Sequence, residues 1–137
     1  MKLDFSSLDK ALTALERGLV RAVPAPGDEE LRDACIQRFE FSFELSWKML
    51  KRKLTQIVPV AESVDGLSYR GLIRLGAEYG LVANVDAWLI YREKRNITSH
   101  TYNADKAAEV FAVIPAFLQD AKALHTALSR PGDRDHA

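Results

Sequence analysis

The chain has 137 residues, 47% of them apolar, and its 19 basic and 19 acidic side chains cancel to a formal net charge of zero. That length carries one domain with a real hydrophobic core, and the apolar content excludes a disordered chain. The cancelled charge excludes a global positive field able to draw in a long polyanion, so any contact with RNA must be local and confined to a cleft.

Apolar positions recur at helical spacing almost throughout, with no convincing alternating strand pattern. The spacing predicts a first helix over about Ser7 to Val23, with Leu8, Leu12, Leu15 and Leu19 as its stripe and Pro24-Ala25-Pro26-Gly27 as its stop. Asp28 or its neighbours start a long second helix that reaches about Ile57, before Pro59. Residues 59–66 read as a loop. A short third helix covers about Ser68 to Tyr79, capped by Ser68 and ended by Gly80. A fourth begins near Asn84, and a last one spans about Ala104 to Leu128, bent at Pro115. The expected fold is all-α, an up-and-down four- or five-helix bundle in one domain over residues 1–129, with a frayed tail at 130–137.

On the second helix, at about 100° per residue, Cys35, Phe39, Phe43, Trp47, Leu50 and Leu54 share one side. Ala34, Phe41, Leu45 and Met49 share another, roughly opposite. Two apolar stripes leave two readings open: a helix central in one monomer, or a helix sandwiched between its own bundle and a second copy of the chain. The dimer is preferred, because so small a bundle rarely encloses a helix on all sides. Between the stripes runs a polar strip of Asp33, Gln37, Glu40, Glu44, Lys48 and Lys51. It reads as a solvated face with helical ion pairs in preference to a catalytic carboxylate pair. Arg38 either snorkels past the apolar stripe or forms an ion pair across a dimer interface.

The most informative segment is Arg95-Asn96-Ile97-Thr98-Ser99-His100-Thr101-Tyr102. Arg is a permanent, planar cation suited to phosphate, and His exchanges protons near neutral pH. On an unbroken helix, positions five apart diverge by about 140°. Arg95 and His100 converge only if the helix ends between them, and Thr98 and Ser99 favour such a break. Arg92 and Lys94 add local positive charge. RNA cleavage without metal needs a base for the 2′-hydroxyl and an acid for the 5′-oxygen, with a cation on the phosphorane-like transition state. One His cannot be both at once, whereas a two-fold dimer supplies two copies of His100 and Arg95. The structural reading stands beside this one: both side chains cap carbonyls at a helix end.

Elsewhere, His125 reads as an edge residue and His136 as part of the tail. No His/Cys/Asp/Glu grouping has metal-ligand spacing, and no phosphate-binding or dinucleotide loop is present; neither metal nor cofactor is expected. Cys35 is the only cysteine, which fits a reducing compartment. Met1-Lys2-Leu3-Asp4 opens no signal-like apolar run, and no uninterrupted stretch is long enough to span a membrane. A cytoplasmic protein is the expectation.

Arg95 through Tyr102 resembles the Arg-x4-His-x-Tyr motif of the HEPN superfamily, small helical nucleotide-binding domains. The segment Ile36-Gln37-Arg38-Phe39-Glu40-Phe41-Ser42-Phe43-Glu44-Leu45-Ser46-Trp47-Lys48 is similar to the hallmark of one branch, the nucleotidyltransferase substrate-binding proteins. The resemblance covers roughly Phe5 to Leu128. It implies a HEPN-like dimerising bundle and a separately encoded minimal nucleotidyltransferase as partner. In the related toxin–antitoxin pairs, the HEPN protein is a metal-independent ribonuclease, silenced when the partner transfers AMP onto the motif tyrosine. Carried across, Arg95 and His100 are the catalytic residues, Asn96 and Arg92 bind nucleotide or phosphate, and Tyr102 accepts AMP. Lys94 departs from the acidic residue expected before the arginine. Three functions are in play: a ribonuclease toxin, a non-catalytic subunit that binds nucleotide or another substrate for the nucleotidyltransferase, and a helical dimer with a structural motif.

Overall fold

Capping chemistry sets the helix boundaries of the computed structural model, which describes residues 3–130. The Asp28 carboxylate accepts the backbone N–H of Leu31, the Ser68 hydroxyl accepts that of Gly71, and the Asn84 side chain accepts that of Ala87. Each satisfies an N–H that the first helical turn leaves without an internal partner. The elements are α1 (Ser6–Ala22), α2 (Glu29–Ile57), α3 (Glu62–Asp65), α4 (Tyr69–Glu78), α5 (Val85–Asn96) and α6 (Ala104–Ser129). A single 3-10 turn, Thr98–His100, joins α5 to α6.

The five long helices and the caps agree with the sequence reading to within a residue or so. The loop expected at 59–66 is instead interrupted by α3, one short turn that buries Val64. Pro115 lies inside α6, which runs on unbroken to Ser129. Of the tail expected at 130–137, residues 131–137, with His136, lie outside the described residues; Arg130 is within them.

The result is an all-α up-and-down bundle in which α2 and α6 form the spine. The α1 helix packs against both, while α4 and α5 close the far side. Leu8, Leu12, Leu15 and Leu19 are buried, as their spacing requires. The centre is aromatic. Phe117 of α6 meets Phe39 edge-on at 4.9 Å, Tyr91 at 5.3 Å and Trp88 at 5.8 Å. Such rings contribute geometry beyond their buried area, and Trp88 and Tyr91 thereby seat α5 on α6. Tyr91 also donates its hydroxyl to Asp120 of α6. Burial, then the Asp120 carboxylate, pushes the Tyr91 phenol far above its ordinary value.

At Gly76 a Cβ would lie 2.8 Å from Val82 and 3.2 Å from Leu50, so α4 approaches α2 this closely only with glycine. Gly80 ends the helix at φ 74°, a left-handed conformation that glycine adopts without strain.

The second helix departs from the two-stripe expectation. Cys35, Phe39, Phe43, Leu50 and Leu54 are buried, but Trp47 is only half-buried. On the other side Met49 is buried and Leu45 is partly covered, leaving Phe41 60% exposed. The central-helix reading thus accounts for Met49 and Leu45 but not for Phe41. Within the chain Arg38 makes a contact that neither of its expected courses included. It reaches back to α1, where Nη1 donates to Ala14 O at 2.7 Å.

Candidate functional site

The helix α5 stops at Asn96, where Thr98 and Ser99 predicted a break. The Thr98 hydroxyl donates to Arg95 O at 2.8 Å, and the N–H of Ile97 to Lys94 O at 3.2 Å. These bonds take up carbonyls that a helix end leaves open. The turn continues through His100 N–H to Ile97 O at 3.0 Å and Asn103 N–H to His100 O at 3.1 Å. Asn103 then caps α6, its side chain accepting from the N–H groups of Asp105 and Lys106. The motif is therefore a hydrogen-bonded elbow between two helices, flanked on one side by the Lys94–Glu109 ion pair at 2.7 Å. Lys94 holds the Glu109 carboxyl below its ordinary range.

Arg95 turns inward. Its side chain is 31% exposed, with Nε 3.2 Å from Glu44 and Nη1 3.7 Å from Glu40. Nη1 also donates to the Thr98 hydroxyl at 3.1 Å. The approach of Nε to Glu44 is an ion-pair contact without hydrogen-bond geometry. This corrects the solvated-strip reading: Glu40 and Glu44 serve as counter-charges across to α5 and form no ion pair with Lys48 among the described residues. Glu44 does more, since its other oxygen accepts the Trp47 indole N–H at 3.0 Å. One carboxylate thus orients both a cation and an aromatic ring.

Arg92, Arg95 and Asn96 line a common groove of about 380 Å³ between α2, α4 and α5. Glu44, Trp47, Lys51, Ser68 and Tyr69 also line it. The Arg92 guanidinium lies 4.8 Å from the Tyr69 ring centroid. The Tyr69 hydroxyl donates to Trp88 O at 2.9 Å, and burial pushes its phenol far above the ordinary value. His100 and Tyr102 are not among the lining residues. Both are exposed, Tyr102 at 88%, with ring centroids 6.4 Å apart. Within one chain, then, the motif splits: the arginine faces the groove and the imidazole and phenol face outward. His125 is half-buried on α6, at an edge. Among the described residues no group of three or more His, Cys, Asp or Glu could hold a metal ion, and no helix is long and apolar enough to cross a membrane.

Sequence reasoning missed the part of Trp47, Tyr69 and Lys51 in this groove. The helical wheel places Trp47 on the buried stripe; its one available signal is the Glu44 three residues earlier, within reach of the indole.

Comparison with known proteins agrees with this architecture. Residues 3–130 match the family described as nucleotidyltransferase substrate binding protein like. The chain is 36% identical over 125 residues to a probable ribonuclease HepT of Haemophilus influenzae, covering 85% of this chain and 86% of that protein. Its fold is similar to a solved Haemophilus influenzae structure described as the fold of a substrate binding domain of a nucleotidyltransferase. There the TM-score is 0.87 at 33% identity, over 93% of this chain and 100% of that one. A crystal structure from Thermus thermophilus is also similar, with TM-score 0.76 and 33% identity over 90% and 99% of the two chains. The aromatic second helix, the Arg-x4-His-x-Tyr elbow and these matches place the chain in the nucleotidyltransferase substrate binding protein like family.

Proposed function

We propose that this protein is a metal-independent endoribonuclease that acts as a homodimer and forms a toxin–antitoxin pair with a separately encoded minimal nucleotidyltransferase. One observation carries the reading: an elbow holds a guanidinium fixed by Glu40, Glu44 and Thr98 and leaves an imidazole open to solvent five residues later. The likeness to a probable ribonuclease supports it.

In this reading His100 takes the proton of an RNA 2′-hydroxyl. The 2′-oxygen attacks phosphorus, the bond from phosphorus to the 5′-oxygen breaks, and a second His100 protonates the leaving oxygen. A 2′,3′-cyclic phosphate and a 5′-hydroxyl result. Arg95 stabilises the charge gathered on the phosphorane, while Arg92 and Asn96 at the helix end bind the nucleotide. Two histidines require two chains. Phe41, exposed on the helix that also carries Glu40 and Glu44, supports α2 as the seam. Tyr102 is the AMP acceptor: its phenol gives its proton to a carboxylate of the nucleotidyltransferase, the phenolic oxygen attacks the α-phosphorus of ATP held there, and pyrophosphate leaves. Its 88% exposure suits such an acceptor. AMP there would set a bulky anion two residues from His100.

A second reading, a non-catalytic subunit that binds nucleotide or another substrate for the nucleotidyltransferase, is favoured by the groove and by the two carboxylates that offset the charge of Arg95. Incubating purified protein with single-stranded RNA in EDTA separates the two. The ribonuclease reading expects cleavage that His100→Ala lowers by orders of magnitude; intact RNA, or cleavage undiminished in the variant, overturns it.

A further inference from the structure

We infer that the groove between α2, α4 and α5 is a base-binding subsite, in which a nucleobase lies against Trp47 and the Arg92 guanidinium while its phosphate turns toward Arg95. The inference deepens the proposed function and rests on its assignment of Arg95 as the phosphate contact. The ligand chemistry is a nucleotide unit, base plus phosphate, whether a residue of single-stranded RNA or a free nucleotide.

Both platforms are set before any ligand arrives. The Trp47 indole is held by its N–H to Glu44. The Arg92 guanidinium is layered on Tyr69, and Tyr69 is itself fixed by its hydroxyl bond to Trp88 O and by Phe43, 5.8 Å away ring to ring. Unpaired bases stack on aromatic rings and on guanidinium planes alike, and a platform already ordered loses little entropy on binding. The volume of about 380 Å³ falls at the small end of ligand pockets. The polar complement also fits. Asn96 supplies an amide with both donors and an acceptor for a base edge. Lys51, tied among the described residues only by a 4.0 Å contact to Asp65, is a second cation for phosphate. A purely hydrophobic ligand would leave the Arg92 guanidinium without an anion, and bare phosphate would leave the aromatic wall unused.

Trp47 supplies its own probe, because the other tryptophan, Trp88, is only 2% exposed. Titrating the whole protein with AMP should quench its tryptophan fluorescence, whereas equal inorganic phosphate should not. Calorimetry then measures affinity for AMP, and for a short single-stranded oligoribonucleotide on a His100→Ala background that keeps the RNA uncut. Trp47→Leu should weaken binding on the order of ten-fold and Trp47→Phe should largely preserve it, as stacking requires. Arg92→Leu, at an exposed side chain, should weaken it comparably. Binding of the oligonucleotide but not AMP assigns the site to RNA, and AMP alone assigns it to a free nucleotide. Equal affinity for AMP and phosphate, or wild-type affinity in folded Trp47→Leu or Arg92→Leu, overturns the subsite. Nucleotide binding with these sensitivities in a protein that leaves RNA intact keeps the subsite and removes the ribonuclease.

Discussion

Arg95 and His100 are five residues apart, yet they occupy opposite kinds of environment. Arg95 is half-buried at the end of α5, met by two carboxylates from α2 and by the hydroxyl of its own turn. His100 sits on the next turn, exposed, with the ring of Tyr102 beside it. The arginine is therefore also part of the tertiary structure, binding α5 to α2. The imidazole is exposed and adds little to the fold. A motif that looks continuous in one dimension is divided into a scaffold cation and an exposed rim. In a single chain the two halves do not line the same groove, which makes a second chain the natural way to complete a site.

The largest expected effect separates them by activity. His100→Ala should lower RNA cleavage by roughly 10²–10⁴-fold with no change in thermal melting. If melting falls sharply, His100 belongs to the scaffold and the division is wrong. Next comes assembly: Phe41→Glu should turn dimers into monomers, as read by sedimentation, while helicity stays constant. An unaltered dimer would move the seam off α2. Third, Arg95→Ala should reduce activity and also cost about 1 kcal/mol of stability, because Glu40 and Glu44, one turn apart, lose their shared counter-charge. Denaturant midpoints measure this; a variant as stable as the parent would make the ion pairs incidental.

The phenols bear on stability alone. Tyr91→Phe removes the hydrogen bond to Asp120 and should cost about 1–2 kcal/mol, against less than about 0.5 for the exposed Tyr102→Phe. The pH dependence has a definite sign. Tyr69 and Tyr91 have phenols raised by burial, so above pH of about 10 the unfolded chain releases their protons before the folded one does. The stability they contribute is intact below that pH and is lost as pH rises beyond it. Tyr91→Phe should flatten this alkaline decline, and an unchanged slope would remove Tyr91 from it.

What could be read in advance was whatever is local along the chain. Asp28, Ser68 and Asn84 cap helices through N–H groups three residues on, and Gly80 ends α4 by its own backbone freedom. The break at Thr98 was legible for the same reason. The partners of Arg95 were not: Glu40 and Glu44 lie more than fifty residues earlier, and a helical wheel gives only the face they share. The wheel likewise sets Trp47 with the buried stripe, because it ignores where the neighbouring helices end. Trp47 meets the space between α4 and α5 and so lines a groove. Phe41 shows the converse, an apolar side chain left uncovered by a single chain.

The shared cleft is tested most directly by a dimer built from one wild-type and one His100→Ala chain, purified through two different tags and assayed for RNA cleavage in EDTA. If one histidine acts as base while the other acts as acid on the same phosphate, the mixed dimer should fall far below half of wild-type activity, close to the double variant. Retention of about half would mean that each chain cuts RNA alone, contradicting the account.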